Sequence, residues 1–147
     1  MVSIKANRRQ YANSQLRCLE WEVRLYHETK AELEDEKDSI ILAGKQPSDG
    51  MPRSTEVSDS TFRTAQRLLN SAEIREMERR IKAIDRAIDE WTACNPIIRM
   101  EFIRQKFWQN KLTNEGIAQK LNVSEQTVRY WRRGFLTLVG KYMGWRL

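Results

Sequence analysis

Residues 114–133 read NEGIAQKLNVSEQTVRYWRR, and the reading of this stretch decides the fold. Ile117, Leu121, Val123, Val128 and Trp131 put apolar side chains where two helices meeting at a tight turn need them. Ala118 is small at the point where those helices would cross. Asn122 stands at the turn, where a positive φ is required and asparagine is the best substitute for glycine. Ser124 offers a side-chain oxygen to cap the second helix. The stretch therefore reads as a helix-turn-helix, with helices expected over 114–121 and 125–143.

Charge gathers around the same stretch. The chain has 147 residues and a net charge of +6. Residues 1–95 hold 16 Lys/Arg and 17 Asp/Glu, whereas residues 96–147 hold 10 Lys/Arg and 3 Asp/Glu, a net of +7. Clustered positive charge on the segment with the motif is the electrostatic footprint of a polyanion partner. Cys18 and Cys94 lie far apart with no CxxC pair, as expected of free thiols in a reducing cytoplasm. The opening MVSIKANRRQ lacks the apolar run of a signal peptide, and no stretch approaches the ~18 apolar residues of a membrane span. A soluble, intracellular protein with no membrane partner is expected.

Working outward, the pattern is all-α. Block one, residues 8–42, carries Leu16, Leu19, Val23, Tyr26 and Leu33 at helical spacing, with Lys30 interrupting. Residues 43–60, AGKQPSDGMPRSTEVSDS, read as a loop, because proline removes a helical donor and glycine carries an entropic penalty. Block two, residues 61–93, follows a Ser-Asp-Ser-Thr cluster suited to a cap. Its Ile74, Met77, Ile81, Ile84, Ile88 and Trp91 form a coiled-coil-like 3-4-3-4-3 seam. The simplest arrangement folds blocks one and two into an antiparallel hairpin of long helices; alternatively one seam, in 8–42 or 61–93, joins two chains as a homodimer. Asn95-Pro96 marks a boundary, since a residue before proline is pushed out of helical geometry. Two regions are thus expected: 1–95, the helical hairpin for oligomerisation or partner binding, and 96–147, the DNA-binding domain. The latter opens with a helix over 97–112 bearing Ile97, Ile98, Phe102, Ile103, Phe107 and Trp108. In the last helix Val128, Trp131, Phe135, Leu138, Tyr142 and Trp145 mark the inward face, and Gly134 marks a close contact or a bend.

At about 100° per residue, Gln126, Arg129, Tyr130 and Arg133 centre the face opposite Val128, Trp131 and Phe135. That face would enter the major groove of double-stranded DNA. Arg129 and Arg133 suit guanine O6 and N7, and Gln126 suits adenine N6 and N7. Tyr130 suits a thymine methyl or a phosphate, or packs at the edge of the core. Glu125 and Thr127 flank the helix start, where Glu125 either accepts from cytosine N4 or simply favours the helix N-terminus. Lys111, Asn114, Lys120, Ser124 and Arg132 are placed for phosphates, which set register without base information. A merely solvated polar face is the plain alternative.

The C-terminal 52 residues resemble the sigma-factor region 4 type of helix-turn-helix. Phe102, Ile103, Phe107 and Trp108 look like its support helix, ahead of Gly116-Ile117-Ala118 and Val123-Ser124-Glu125-Gln126-Thr127-Val128-Arg129. The whole chain resembles the RinA/ArpU type of phage transcriptional regulators, in which a helical N-terminal part, a polar loop and a helix such as IREMERRIKAIDRAIDEW lead into a domain of this kind. The resemblance implies a DNA-binding activator of late phage or prophage genes, with base reading by Glu125, Gln126, Thr127, Arg129, Tyr130 and Arg133. It also admits bacterial RNA polymerase as a partner. Trp131 departs from the family's small aliphatic residue, which leaves the angle between the two helices open.

Catalysis has little support in the sequence. His27 is the lone histidine, no Cys/His cluster has metal-ligand spacing, and there is no phosphate-cradling glycine loop. No enzyme activity, cofactor or metal is expected. The rival reading is a DNA-packaging protein like a phage terminase small subunit, although there the DNA-binding unit usually comes first. An autonomous sigma factor would need a −10-melting half, which residues 1–95 do not offer.

Overall fold

The computed structural model describes residues 4–44 and 57–147, and among them every regular element is helical. In chain order these are α1 (Ile4–Arg24), α2 (Tyr26–Ala43), α3 (Val57–Asn70), α4 (Ala72–Thr92), α5 (Pro96–Ile103), α6 (Asn114–Leu121) and α7 (Glu125–Tyr142). A π-helical turn over Arg104–Gln109 continues α5. No helix among the described residues is long and apolar enough to cross a membrane.

Three boundaries differ from expectation. Block one is two helices, interrupted for one residue at Leu25, whose N–H still donates to the Trp21 carbonyl at 3.0 Å. Block two is also divided. Its first helix starts at Val57, ahead of the expected residue 61. The cap is Ser71, whose Oγ accepts from the Ile74 N–H at 3.3 Å and starts α4. Of the expected loop 43–60, residues 45–56 lie outside the described residues. The helix expected over 97–112 begins with Pro96 at its first turn and stops at Gln109, where Asn110 turns left-handed at φ 47°.

The chain divides into two compact units, Met1–Tyr26 with Lys82–Leu147, and His27–Ile81. In the second unit Lys37 of α2 pairs with Glu78 of α4 at 3.0 Å. Glu76 bridges Arg79 and Arg80 on the surface of α4, and the hydrogen bonds from these two arginines drive its pKa down to about 2. Leu33, Ile74 and Ile81 are buried, so this part of the isoleucine seam is covered within the single chain. Phe62 and Leu69 of α3 are left exposed.

The first unit is built on aromatic packing. Trp91, Phe102, Phe107, Trp131 and Phe135 pack with ring centroids 5.5–6.0 Å apart, mostly tilted or edge to face. Such pairs add ~0.5–1.5 kcal/mol each beyond the area they bury. The Arg99 guanidinium lies 4.7 Å from the Trp91 ring centroid and donates to the Trp91 carbonyl at 2.7 Å. α1 belongs to this unit and packs on α7 and on the π turn. Leu16, Leu19 and Val23 are its buried seam, as their spacing predicts. The Trp108 Nε1–H donates to the Val23 carbonyl at 3.2 Å, and Tyr26 stacks on Trp108 with centroids 5.7 Å apart while its hydroxyl donates to Asp85. Ile97, expected on the inner face of α5, is 85% exposed at its first turn.

Candidate nucleic-acid interface

Local chemistry sets the angle at which α7 leaves α6. Thr113 accepts from the Gly116 N–H at 3.1 Å and starts α6. Asn122 ends it at φ 54° and ψ 48°, in the left-handed region where asparagine is tolerated better than most side chains. Ser124 then accepts from the Thr127 N–H at 3.1 Å, and the two hydroxyls share a hydrogen bond at 2.8 Å. Ile117, Ala118 and Val128 close the contact between the helices and are buried.

Behind α7 the buried stripe is Val128, Phe135, Leu136, Val139, Gly140 and Met143. Leu138, Tyr142 and Trp145, which the 3-4 pattern places inward, are only half-buried. The stripe shifts in the second half of the helix because α1 covers it there. A Cβ on Gly140 would stand 2.9 Å from Leu19 Cδ1 and 2.7 Å from Leu147 Cδ1, so Gly140 is the point of close approach. Gly134, where the sequence suggested such a contact, is exposed, and a Cβ there would meet only Trp91 Nε1 at 3.9 Å.

Gln126, Arg129, Tyr130 and Arg133 all lie on the exposed arc of α7, and Tyr130 is 75% exposed. Thr137 and Lys141 continue the arc toward the C-terminus; sequence reasoning passed over them, though the same 100° projection reaches both. Arg129 pairs with Glu125 one turn back at 3.3 Å, where both side chains are solvated. At the helix start Thr127 is half-buried, whereas Glu125 keeps its carboxylate in solvent.

The residues expected at phosphates fare differently. Lys111 and Ser124 are exposed. Lys120 is exposed but lies 3.5 Å from Glu101. Asn114 accepts from the Lys106 ammonium at 2.6 Å. Arg132 faces the protein and not the solvent arc: it donates from Nε to Glu20 of α1 at 3.0 Å and from Nη2 to the same oxygen. Arg24 binds the other carboxylate oxygen at 2.8 Å. Burial pushes the Glu20 carboxyl up, but hydrogen bonding by Arg132 and the charges of Arg132, Arg24 and Lys106 outweigh it and hold its pKa below the ordinary value. Burial pulls the Lys106 ammonium down, and the charge of Glu20 only partly offsets this. Arg132 is thus half of a structural ion pair.

Counted by unit, the charge is more polarised than along the chain. The unit carrying α7 has 17 Lys/Arg and 8 Asp/Glu, a net of +9. The other has 9 Lys/Arg and 12 Asp/Glu, a net of −3. Among the described residues no group of three His, Cys, Asp or Glu side chains is placed to hold a metal, and both cysteines are exposed and free. Compared with known proteins, the chain matches no family model, no curated protein and no solved structure.

Proposed function

We propose that this protein is a sequence-specific double-stranded DNA-binding transcriptional regulator, an activator of late phage genes of the RinA/ArpU kind. In this reading α6, the turn at Asn122 and α7 are the helix-turn-helix, and α7 docks in the major groove. The observation that carries it is the coincidence of one exposed polar arc, Gln126, Arg129, Tyr130 and Arg133, with a helix capped in front, packed behind, and set in a unit of net +9. A rigid helix gives side chains the fixed register that base reading demands, and basic charge supplies the sequence-independent affinity. Gln126 and Arg129 are the primary readers, with Tyr130 beside them; Lys111 and Ser124 serve the backbone. Arg132 drops out of the phosphate set because Glu20 holds it.

The second unit, His27–Ile81, serves partner binding or dimerisation. The Lys37–Glu78 pair supports α2 and α4 lying side by side, and exposed Phe62 and Leu69 favour α3 over the covered isoleucine seam as a dimer face.

The test is selection of bound sites from random duplex DNA, followed by footprinting. One enriched motif is expected, and two half-sites about one helical turn apart would accompany a two-fold dimer. If about six phosphates are neutralised, log affinity should fall against log salt with a slope of about −5. No enrichment together with a flat salt response would overturn the reading.

A further inference from the structure

α1 and α7 frame an open groove of about 640 Å³ lined by Arg8, Arg9, Ala12, Asn13, Arg133 and Leu147. All six belong to the first unit. Three arginines line this one concavity, and among the described residues none of the three has an acidic partner. The nearest carboxylate along α1, Glu20, is already engaged by Arg24 and Arg132. Like charges gathered without an acid repel one another, and the arrangement is relieved by an anion that a guanidinium fork can grip in bidentate fashion. Asn13 adds an amide donor at the same place. Arg133 is the link to the proposed interface: it lies about two turns beyond Gln126 on the solvent arc and faces the groove from the α7 side.

We propose that α1 is a second DNA-contacting element, in which Arg8 and Arg9, together with Arg133, clamp the phosphodiester backbone flanking the groove read by α7. The inference rests on the DNA-binding reading above and deepens it. It assigns Arg133 to the backbone and leaves base reading to Gln126, Arg129 and Tyr130. It also draws on the part of the chain that the linear charge count shows as nearly neutral.

The experiment uses the full chain and its selected duplex, with fluorescence anisotropy across a salt series. Arg8→Ala/Arg9→Ala should lower the magnitude of the salt slope by about 1.8, at ~0.9 per phosphate contact, and weaken binding roughly 10- to 60-fold at about 0.1 M salt. The ranking of base-substituted duplexes should stay as in wild type. Arg8→Lys/Arg9→Lys should restore most of the slope, and thermal melts should match because both side chains are exposed. A wild-type slope in the alanine variant, with specific binding retained, would overturn the clamp and leave the α7 reading standing. An altered base preference would also overturn it, since backbone contacts carry no sequence information. A wild-type chain that selects no duplex would remove the DNA reading and the clamp with it.

Discussion

Replacing Glu20 by alanine should destabilise the first unit more than a typical surface change. Glu20 accepts from Arg24 at 2.8 Å and from Arg132 at 3.0 Å, and its side chain is only 12% exposed. Removing the carboxylate leaves the two guanidiniums and the half-buried Lys106 ammonium facing each other without an anion. Hydrogen bonds to charged groups contribute ~1.5–3 kcal/mol each, and breaking a fully buried pair costs ~3–5 kcal/mol. Arg24 and Arg132 keep roughly a quarter to a third of their exposure and can rehydrate, which lowers the upper figure. A loss of about 2–3 kcal/mol follows, or roughly 6–10 °C in Tm for a chain of this size.

Circular dichroism melts at pH 7 measure the loss directly, and their pH dependence tests its cause. The folded pKa of Glu20 is held below its ordinary 4.5, so the carboxylate stabilises the fold above that value. The contribution fades as pH falls through the lowered folded pKa. Glu20→Gln, which keeps the shape and one acceptor, should therefore lie between wild type and alanine at pH 7 and converge on wild type in acid. A Glu20→Ala chain melting within about 2 °C of wild type at pH 7 would refute the reasoning. A gap between wild type and Glu20→Gln that widens in acid would refute the electrostatic cause.

Asn122→Gly should melt like wild type, whereas Asn122→Val should lose ~1–2 kcal/mol, because a β-branched residue is strained at φ 54°; urea unfolding separates the two. Gly134→Ala should gain up to ~1 kcal/mol of helix propensity at an open position. Gly140→Ala should lose stability, since the new methyl meets Leu19 Cδ1 at 2.9 Å in a buried contact, and paired melts of the two variants read the difference. On the proposed function, Arg129→Ala should cost ~1–3 kcal/mol of specific affinity and relax preference at one base pair, as titration against a set of substituted duplexes would reveal.

What the sequence made legible is what short-range chemistry determines. Asn122 and Ser124 act within their own turn, and both take the conformations their residue types imply. The Leu16, Leu19, Val23 seam depends on spacing alone, and it is buried. The π turn was hidden because it answers to packing. Phe102 and Phe107 are five apart and both buried, yet five residues of α-helix separate two side chains by about 140° around the axis. The wider turn, with the Asn110 N–H reaching back five residues to Gln105 at 3.2 Å, brings both rings inward to 6.0 Å between centroids. The breaks at Leu25 and Ser71 lacked a Pro or Gly to announce them. The inward turn of Leu136, Val139 and Gly140 could not be read from α7 at all, because it is imposed by α1, over a hundred residues earlier.

The same long-range pairing sorts the arginines by role, which a linear count cannot do. Arg24 and Arg132 share Glu20 and are occupied in joining α1 to α7. Arg8, Arg9 and Arg133 line a concavity that offers them no acid among the described residues. Arg129 stands between these cases. Its partner Glu125 is solvated and one turn away, and an exposed pair of that kind contributes only ~0.3–0.5 kcal/mol. A bidentate contact to guanine discriminates by ~1–3 kcal/mol. Releasing Arg129 from Glu125 to a base is therefore a favourable exchange, whereas taking Arg132 from Glu20 would undo the seat of the helix that presents it. The arginine that reads DNA in the proposed function is the one whose resting ion pair is weak enough to give up.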